Sequence, residues 1–444
     1  MSEQRRGNVR WYLVFWLFIL SAVSFLDRVN ISVAGSAIAS EYHLSHVQLG
    51  WVFSAFLWGY ALFQTFGGWL ADRLGPRRVL TGGVIWWGIF TALTAAVSPA
   101  ITGAVFLFVL VRFLLGAGEA IIFPASNQFV SRWIPTQERG IANGLIFAGV
   151  GAGAGSAPAI VTYIMVHYGW RWSFWISALI GLLVGLVWYF PARDTPEEHP
   201  SVSAPELLHI QCGRTVGKSA EAVGKPQKDT AQAPANSPIP WSTILQSKEV
   251  WLVTLSYFCF GYVAWIFFSW FYIYLAKVRG LDLKASAFYS TLPPLAMVAC
   301  SLLGGVINDK LTKAHGKRLG RCGIAVFALA LTAVLLVIGS QAASARLASL
   351  VLAGGAGALY LAQSSYWSVT ADIAGSRAGS ASGFMNMGAQ LGGGLTALLT
   401  PVIAEHYGWT YPFLVAGTLS ALGAAAWLAV DPSRNLERLG QTSP

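Results

Sequence analysis

Four ionisable side chains lie within stretches that are otherwise apolar enough to cross a bilayer. Asp27 and Arg28 are neighbours in the first stretch, whereas Arg112 and Glu119 lie in the fourth. A charge in hydrocarbon costs at least about 2.5 kcal/mol, so such residues usually face a bundle interior or a water-filled path. Carboxylates can exchange protons, and guanidinium groups can hold an anion in a bidentate fork. These residue types therefore predict a site for an anion and for protons.

The spacing within the second pair supports this interpretation. Seven residues at 100° each bring Glu119 to within about 20° of Arg112, two turns along one helical face. We therefore expect Arg112 and Glu119 to form one couple, with Asp27 and Arg28 facing them as a second. A static ion pair between helices, which would only stabilise the fold, is the alternative.

The elements that must position these charges are helices that span a membrane. Of the 444 residues, 55% are hydrophobic and only 11% are charged, and the mean hydropathy is +0.56, which indicates an all-α membrane protein. A hydrocarbon core of about 30 Å needs about 20 helical residues. Twelve apolar runs meet this need, at 12–36, 47–71, 80–97, 101–123, 140–166, 171–191, 249–276, 286–309, 321–341, 346–370, 378–403 and 409–430.

The distribution of positive charge predicts the orientation. Most of the 29 Lys and Arg residues fall in loops on the side of the spans that carries both chain ends. Cytoplasmic loops are enriched in these residues, so both termini are predicted to be cytoplasmic. The net charge of +10 is then a topology signal and indicates no nucleic-acid partner. The four cysteines form no metal-binding pair, and we expect neither a metal nor a cofactor.

The chain repeats itself at long range. Residues 67–74 read GGWLADRL and residues 304–311 read GGVINDKL, while HYGW occurs at both 167–170 and 406–409. Two unrelated motifs with nearly the same offset indicate duplication into two pseudo-symmetric six-helix bundles with a site between them.

The predicted domains are an N-terminal bundle at 1–191, a cytoplasmic linker at 192–248 and a C-terminal bundle at 249–444. The Pro-, Ser- and Ala-rich composition after residue 192 favours a solvated tether. A short helix around Glu206 to Ile210 is the alternative.

The loop after the second span resembles the signature of the major facilitator superfamily, since it reads Gly68-x-x-x-Asp72-Arg73-x-Gly75-x-Arg77-Arg78. The resemblance implies that this loop latches the two halves together, which makes Asp72, Arg73 and Arg77 gating residues. The second copy keeps Gly305, Asp309 and Lys310 but lacks the following Gly-x-Arg-Arg. A matching latch there is therefore less well supported.

The charges in the spans narrow the resemblance. The stretches Asp27-Arg28-Val29-Asn30 and Arg112-x-x-x-Gly116-x-Gly118-Glu119 are similar to those of the anion:cation symporter family within that superfamily, closest to the bacterial carriers of galactonate, glucarate and hexuronates. The resemblance implies that Asp27 and Glu119 carry protons. It also implies that Arg28 and Arg112 hold the anion or modulate those carboxylates.

Polar and aromatic residues in the spans are candidates for binding the rest of a sugar-like substrate. Each one alone is weak evidence, since a lone Tyr or Trp in a span more often packs or anchors at the interface. The candidates are Tyr60, Gln64, Tyr262, Trp265, Ser364, Trp367, Asn386 and Gln390.

These features predict a secondary transporter that couples proton entry to the uptake of an organic anion, most simply a sugar acid, by alternating access. Aromatic or other carboxylates are the alternative substrates. A drug/proton antiporter is less favoured because Ala157-Pro158 is not followed by Gly-Gly. The spans contain no nucleophile motif and no paired-His motif that would indicate an enzyme. We expect a monomer in lipid, in a bacterial plasma membrane.

Glycines at every second position from Gly149 to Gly155 resemble the sequence motif of a dinucleotide-binding loop. They lie within an apolar span with no strand before it, so close packing of helices through small residues is the favoured interpretation.

Overall fold

The computed structural model describes residues 7–44, 46–219, 241–271, 274–281 and 283–436. Throughout these ranges the chain forms helices and turns, with no strand. Helices are the expected result, because a spanning helix satisfies its backbone hydrogen bonds within its own segment where no water is present. Much of the predicted linker, residues 220–240, lies outside the described ranges.

The first part of the chain folds into seven helices. They are α1 (Val9–Glu41), α2 (His46–Leu74), α3 (Pro76–Ala96), α4 (Ala104–Glu119), α5 (Ile122–Trp133), α6 (Arg139–Tyr168) and α7 (Trp170–Tyr189).

Two further helices, α8 (Ala204–Ser219) and α9 (Trp241–Gln246), precede the second part. Its described helices are α10 (Lys248–Ser269), α11 (Leu283–Lys317), α12 (Ile324–Gln341), α13 (Ala345–Leu361), α14 (Gln363–Ala374), α15 (Ala378–Tyr407) and α16 (Thr410–Leu428).

The order of elements in the first part recurs in the second. The fourth long helix is interrupted in both parts, between α4 and α5 and again between α13 and α14. A 3-10 turn then leads into a 30-residue helix in each part, with Thr136–Glu138 before α6 and Gly375–Arg377 before α15. The repeat seen in the sequence motifs is therefore also a repeat of secondary structure.

Nine stretches of the described residues are long and apolar enough to cross a membrane. Three of them, Ala104–Trp133, Phe288–Gln341 and Ala345–Tyr407, each contain more than one of these helices, and α2 is outside this set. The multi-pass character predicted from composition is confirmed. The number twelve stays a prediction.

Close helix crossings hold the two parts together at one end of the bundle. A Cβ added at Gly68 of α2 would lie 2.0 Å from the carbonyl oxygen of Gly379 in α15, and one at Gly305 of α11 would lie 2.4 Å from that of Gly140 in α6. We call this end, where α1 begins, the termini side, and the other end the opposite side.

The chain after residue 192 differs from the predicted solvated tether, because α8 is longer than the possible helix at 206–210 and is docked on the first part. Glu206 is fully buried and accepts hydrogen bonds from the backbone N–H and the guanidinium of Arg10. His209 contacts Glu138 at 2.8 Å, and Glu138 also pairs with Arg10. A buried charge needs such partners, which explains why the helix is held in place.

Candidate functional site

A cavity of about 510 Å³ lies between the two parts. The lining residues of α2 come from its half nearer the opposite side, and those of α10, apart from Tyr257, come from the half that ends at Ser269. The cavity therefore extends from the middle of the bundle towards the opposite side. Of the residues predicted for the site, it is lined by Arg28, Tyr60, Arg112, Trp265, Asn386 and Gln390.

Arg28 reaches the cavity from α1 and is paired with Glu119 of α4. Its Nε lies 3.2 Å from a carboxylate oxygen of Glu119, and the other oxygen accepts a 2.5 Å hydrogen bond from Ser24. Its guanidinium carbon is 4.1 Å from the centre of the Tyr60 ring and 4.5 Å from that of Phe25. Ring faces attract a desolvated cation, so Arg28 is held between an acid and two aromatic faces.

Arg112 is 2% exposed, and its Nε has no hydrogen-bond partner. Its guanidinium carbon lies 5.0 Å from the centre of the Phe56 ring. The predicted couple between Arg112 and Glu119 is therefore wrong in its pairing, since the observed ion pair joins Glu119 to Arg28 on another helix. The rotation of α1 presents Arg28 to Glu119, whereas Arg112 acts on Glu119 through its charge without a direct ion pair.

Asp27 points elsewhere. It is 4% exposed, does not line the cavity, and neither of its carboxylate oxygens has a hydrogen-bond partner. Neighbouring positions on α1 thus place opposite charges in different surroundings, with Arg28 in the cavity and Asp27 outside it.

The second part of the chain contributes amides and rings to the cavity wall. The amide nitrogen of Asn386 donates to the side-chain oxygen of Gln64 at 2.9 Å, which joins α15 to α2. Gln363 and Trp367 both donate to the Tyr257 hydroxyl, at 2.8 and 3.1 Å. Gln363 and Tyr257 line the cavity, and the side-chain oxygen of Gln363 has no partner.

Four predicted binding residues do not line the cavity, namely Gln64, Tyr262, Ser364 and Trp367. Gln64 and Trp367 support lining residues through the hydrogen bonds just described. Sequence reasoning missed Tyr257, Tyr360 and Gln363. A signal existed for Gln363, because a polar residue at the interruption of a spanning helix is where a ligand site is expected.

The predicted gating residues divide into two groups. The Asp72 carboxylate accepts hydrogen bonds from the backbone N–H groups of Gly379 and Ser380, at 2.9 and 2.8 Å, at the start of α15. A carboxylate is favoured there, because the first N–H groups of a helix lack intrahelical partners and the dipole is positive. In contrast, Arg77 contacts the Tyr189 carbonyl and ring within the first part, and Arg73 lies over the Trp69 ring.

The second copy of the motif forms the matching contact although it lacks the Gly-x-Arg-Arg of the first copy. Asp309 accepts hydrogen bonds from the backbone N–H groups of Gly140 and Ile141, at 2.8 and 2.7 Å, at the start of α6. Arg321 pairs with Asp309 at 3.0 Å. We call the Asp72 and Asp309 contacts the two clasps. Each joins one part of the chain to the other on the termini side.

A buried ion pair lies between the clasps. Arg139 of α6 and Asp372 of α14 are 2.6 Å apart, and Arg321 and Lys317 approach the same carboxylate at 3.4 and 3.9 Å. No role for this cluster was predicted from the sequence. The cluster closes the termini side with charge as well as with packing.

On the opposite side, Glu41 at the end of α1 joins α7. It accepts hydrogen bonds from the Trp170 indole at 2.7 Å and from Arg171 at 2.8 Å. Burial acts to raise the pKa of Glu41, but these hydrogen bonds and the charge of Arg171 outweigh it, so that the pKa is below its ordinary value.

No group of His, Cys, Asp and Glu side chains within the described ranges is arranged to hold a metal ion. The buried polar groups that face the cavity are guanidinium, amide and hydroxyl groups. Side chains of these types can hydrogen-bond to an anion that also carries hydroxyl groups.

Two similar helical parts around a cavity with buried charges define a membrane transporter. The sequence model of the Major Facilitator Superfamily matches residues 17–397 and 316–443, and the chain belongs to this superfamily. The protein is therefore a multi-pass membrane transporter and not an enzyme.

Similar proteins agree with this assignment. "Probable sulfoacetate transporter SauU" of Cupriavidus necator is 34% identical over 431 residues, which cover 97% of this chain and 95% of that protein. "Probable galactarate/D-glucarate transporter GudP" of Bacillus subtilis is 30% identical over 314 residues, 70% of this chain and 67% of that protein. The predicted resemblance to anion carriers of the superfamily is confirmed.

The fold has a solved counterpart. The structure of the proton:xylose symporter XylE bound to 6-bromo-6-deoxy-D-glucose superposes with a TM-score of 0.75, covering 98% of this chain and 99% of that one at 14% identity. The helical fold predicted from the sequence is confirmed.

Proposed function

We propose that this protein is a secondary active transporter that couples proton entry to the uptake of an organic anion, most simply a hexonate, aldarate or hexuronate. The observation that carries the proposal is the ion pair between Arg28, which lines the cavity, and Glu119, which does not. An anion that enters the cavity competes with Glu119 for the same guanidinium group.

This competition links the proton to the anion. While Glu119 is ionised, it holds Arg28. A proton on Glu119 cancels that attraction and leaves Arg28 and Arg112 to bind a carboxylate in the cavity. Release of the anion on the other side allows the ion pair to form again once the proton leaves. Asp27 provides the second carboxylate, next to Arg28 in the chain.

Alternating access completes the mechanism. The halves 1–191 and 249–444, joined by the linker 192–248, form two six-helix bundles that rock about the central cavity. The two clasps hold the termini side closed while the cavity faces the opposite side. With twelve spans and cytoplasmic termini in a bacterial plasma membrane, this arrangement is the outward-facing state of a monomer. Asp72 then gates release to the cytoplasm, with Arg73 and Arg77 shaping its loop.

Other carboxylates are a second candidate substrate class. Aromatic rings occupy much of the cavity wall, among them Phe25, Phe56 and Trp265, which suits an aromatic acid. The similarity to a sulfoacetate carrier favours a small anion with two acidic groups, which would engage Arg28 and Arg112 together. In either case the two guanidinium groups bind the acidic end.

Uptake into proteoliposomes tests the proposal. Labelled glucarate, galactonate, sulfoacetate and benzoate are offered with and without an inward pH gradient. We expect the gradient to drive accumulation of one of them. Glu119→Gln should abolish accumulation but retain exchange of external for internal substrate, because it mimics the protonated acid. Glu405→Gln, an exposed site at the end of α15, is the matched control and should behave as the wild type.

Two results would refute the proposal. One is accumulation that is equally strong without a pH gradient, and the other is a Glu119→Gln variant that still concentrates substrate when the gradient is imposed. Stabilisation of the detergent-solubilised protein by each anion, measured as a shift in Tm, identifies the substrate class independently of coupling.

A further inference from the structure

Asp27 lies in polar surroundings that are separate from the cavity. The described residues that line the cavity include none from α3 or α7. Yet α7 presents Ser173, Ser177 and Gly181 at helical spacing on one face, and both serines are buried. This face packs against α1 and α3, where Asp27 and Trp87 are found.

Hydrogen bonds order this region. The Ser173 hydroxyl donates to the side-chain oxygen of Asn30 at 2.7 Å, and the Asn30 amide donates to the Ser177 oxygen at 3.3 Å. Asn30 is fully buried, one turn from Asp27 on α1. Because Ser177 accepts from Asn30, its own O–H remains available as a donor to Asp27.

Two groups from other helices act on the Asp27 carboxylate at close range, the Ser177 hydroxyl and the Trp87 indole. Neither completes a hydrogen bond, since both Asp27 oxygens and the Trp87 Nε1 are without partners. The indole nitrogen lies against Gly181, where an added Cβ would be 2.9 Å away. Buried polar atoms are rarely left unsatisfied. We therefore expect the Asp27 carboxylate either to bind a proton or to accept hydrogen bonds from these donors.

We propose that Asn30, Ser177 and Trp87 form with Asp27 a proton-binding pocket between α1, α3 and α7, closed off from the anion cavity. The inference rests on the proposed function and assigns positioning roles that the cavity alone does not reveal. When Asp27 is ionised, Ser177 and Trp87 donate to its carboxylate. When it is protonated, these bonds are released. The anion does not touch Asp27, and the two sites communicate through α1, which carries Arg28 at the next position.

The charges around Asp27 are compatible with this role. Glu119 and Arg112 of α4 act on it with opposite signs, while α7 contributes the Ser177 hydroxyl and α3 the Trp87 indole. Loss of either donor removes a hydrogen bond to the ionised carboxylate only, which favours the protonated form.

The pH dependence of uptake tests the pocket. We expect Ser177→Ala to raise the pH of half-maximal uptake by about one unit, because one hydrogen bond to a charged group is lost. The KM for the anion at saturating acid pH should be unchanged. Ser177→Thr, which keeps the hydroxyl, should restore the wild-type profile. Trp87→Phe should shift it in the same direction, and Ser420→Ala, a fully buried serine of α16 that donates to the Leu329 carbonyl, should not.

Several results would overturn the proposal. The first is that the pH profiles of Ser177→Ala and Trp87→Phe coincide with that of Ser420→Ala. The second is a change in the KM for the anion without a shift of the pH profile. The third is uptake by the wild-type protein that is driven by a Na⁺ gradient at constant pH. Indifference of the wild type to both gradients would refute the proposed function itself. If Ser177→Ala does not fold, as judged by size exclusion, Trp87→Phe decides the outcome.

Discussion

Removal of one charge from the Asp72 clasp should open the termini side. Three donors converge on the Asp72 carboxylate, namely the N–H groups of Gly379 and Ser380 and the Ser380 hydroxyl. Asp72→Asn keeps the size of the side chain but removes its charge and one acceptor oxygen. The clasp joins the two parts only while the termini side is closed, so its loss disfavours that state alone.

The magnitude follows from the contacts. A hydrogen bond to a charged group contributes about 1.5–3 kcal/mol and a neutral one about 0.5–1.5. Three weakened bonds, partly replaced by water when the side opens, give a net loss of about 2 kcal/mol. At about 1.4 kcal/mol per factor of ten, the equilibrium should move about 30-fold towards the state that is open on the termini side.

Distances between spin labels measure this shift. The exposed positions Arg78 and Lys313 place one label on each part near the clasps. Asp72→Asn and Asp309→Asn should each increase the population with a long distance. Asp194→Asn is the matched control, because Asp194 accepts from the Arg77 N–H and so joins the start of the linker to the first part. The reasoning is refuted if neither clasp variant changes the distances, or if Asp194→Asn changes them equally.

Two further predictions concern packing and pH. Gly153→Ala should lower the Tm in detergent by the equivalent of about 1–3 kcal/mol, because its Cβ would lie 2.0 Å from the Ala22 carbonyl oxygen. Gly155→Ala should be neutral or stabilising, because an added Cβ there has nothing within 4 Å. Equal effects of the two substitutions would contradict the packing interpretation of the glycine run. Glu41→Gln should lower the Tm at neutral pH, since a depressed pKa means stability that is present above the ordinary pKa of glutamate and is lost as the pH falls through the lowered one. The difference from wild type should therefore vanish in acid, and a difference that persists there would refute it.

The helical fold was predictable because a bilayer leaves the backbone few options, and the apolar runs mark where spans occur. The ends of the helices were less predictable. For example, α1 extends from Val9 to Glu41, whereas the sequence predicts a span at 12–36. The interruption after Glu119 has a local cause, because the ring of Pro124 conflicts with the carbonyl of Ala120 four residues earlier. The matching interruption at Ala362 has no such proline. No other local signal in the sequence marks it.

The sequence by itself determined which residues bear charge within the spans and on which helical face, because helical periodicity is a local property. It also showed the duplication, and with it the likeness of the two motifs around Asp72 and Asp309. Only the tertiary structure decided the partners. Glu119 pairs with Arg28 rather than with Arg112, and Asp27 turns away from the cavity, because the rotation and crossing of α1 against α4 and α7 depend on packing between distant segments.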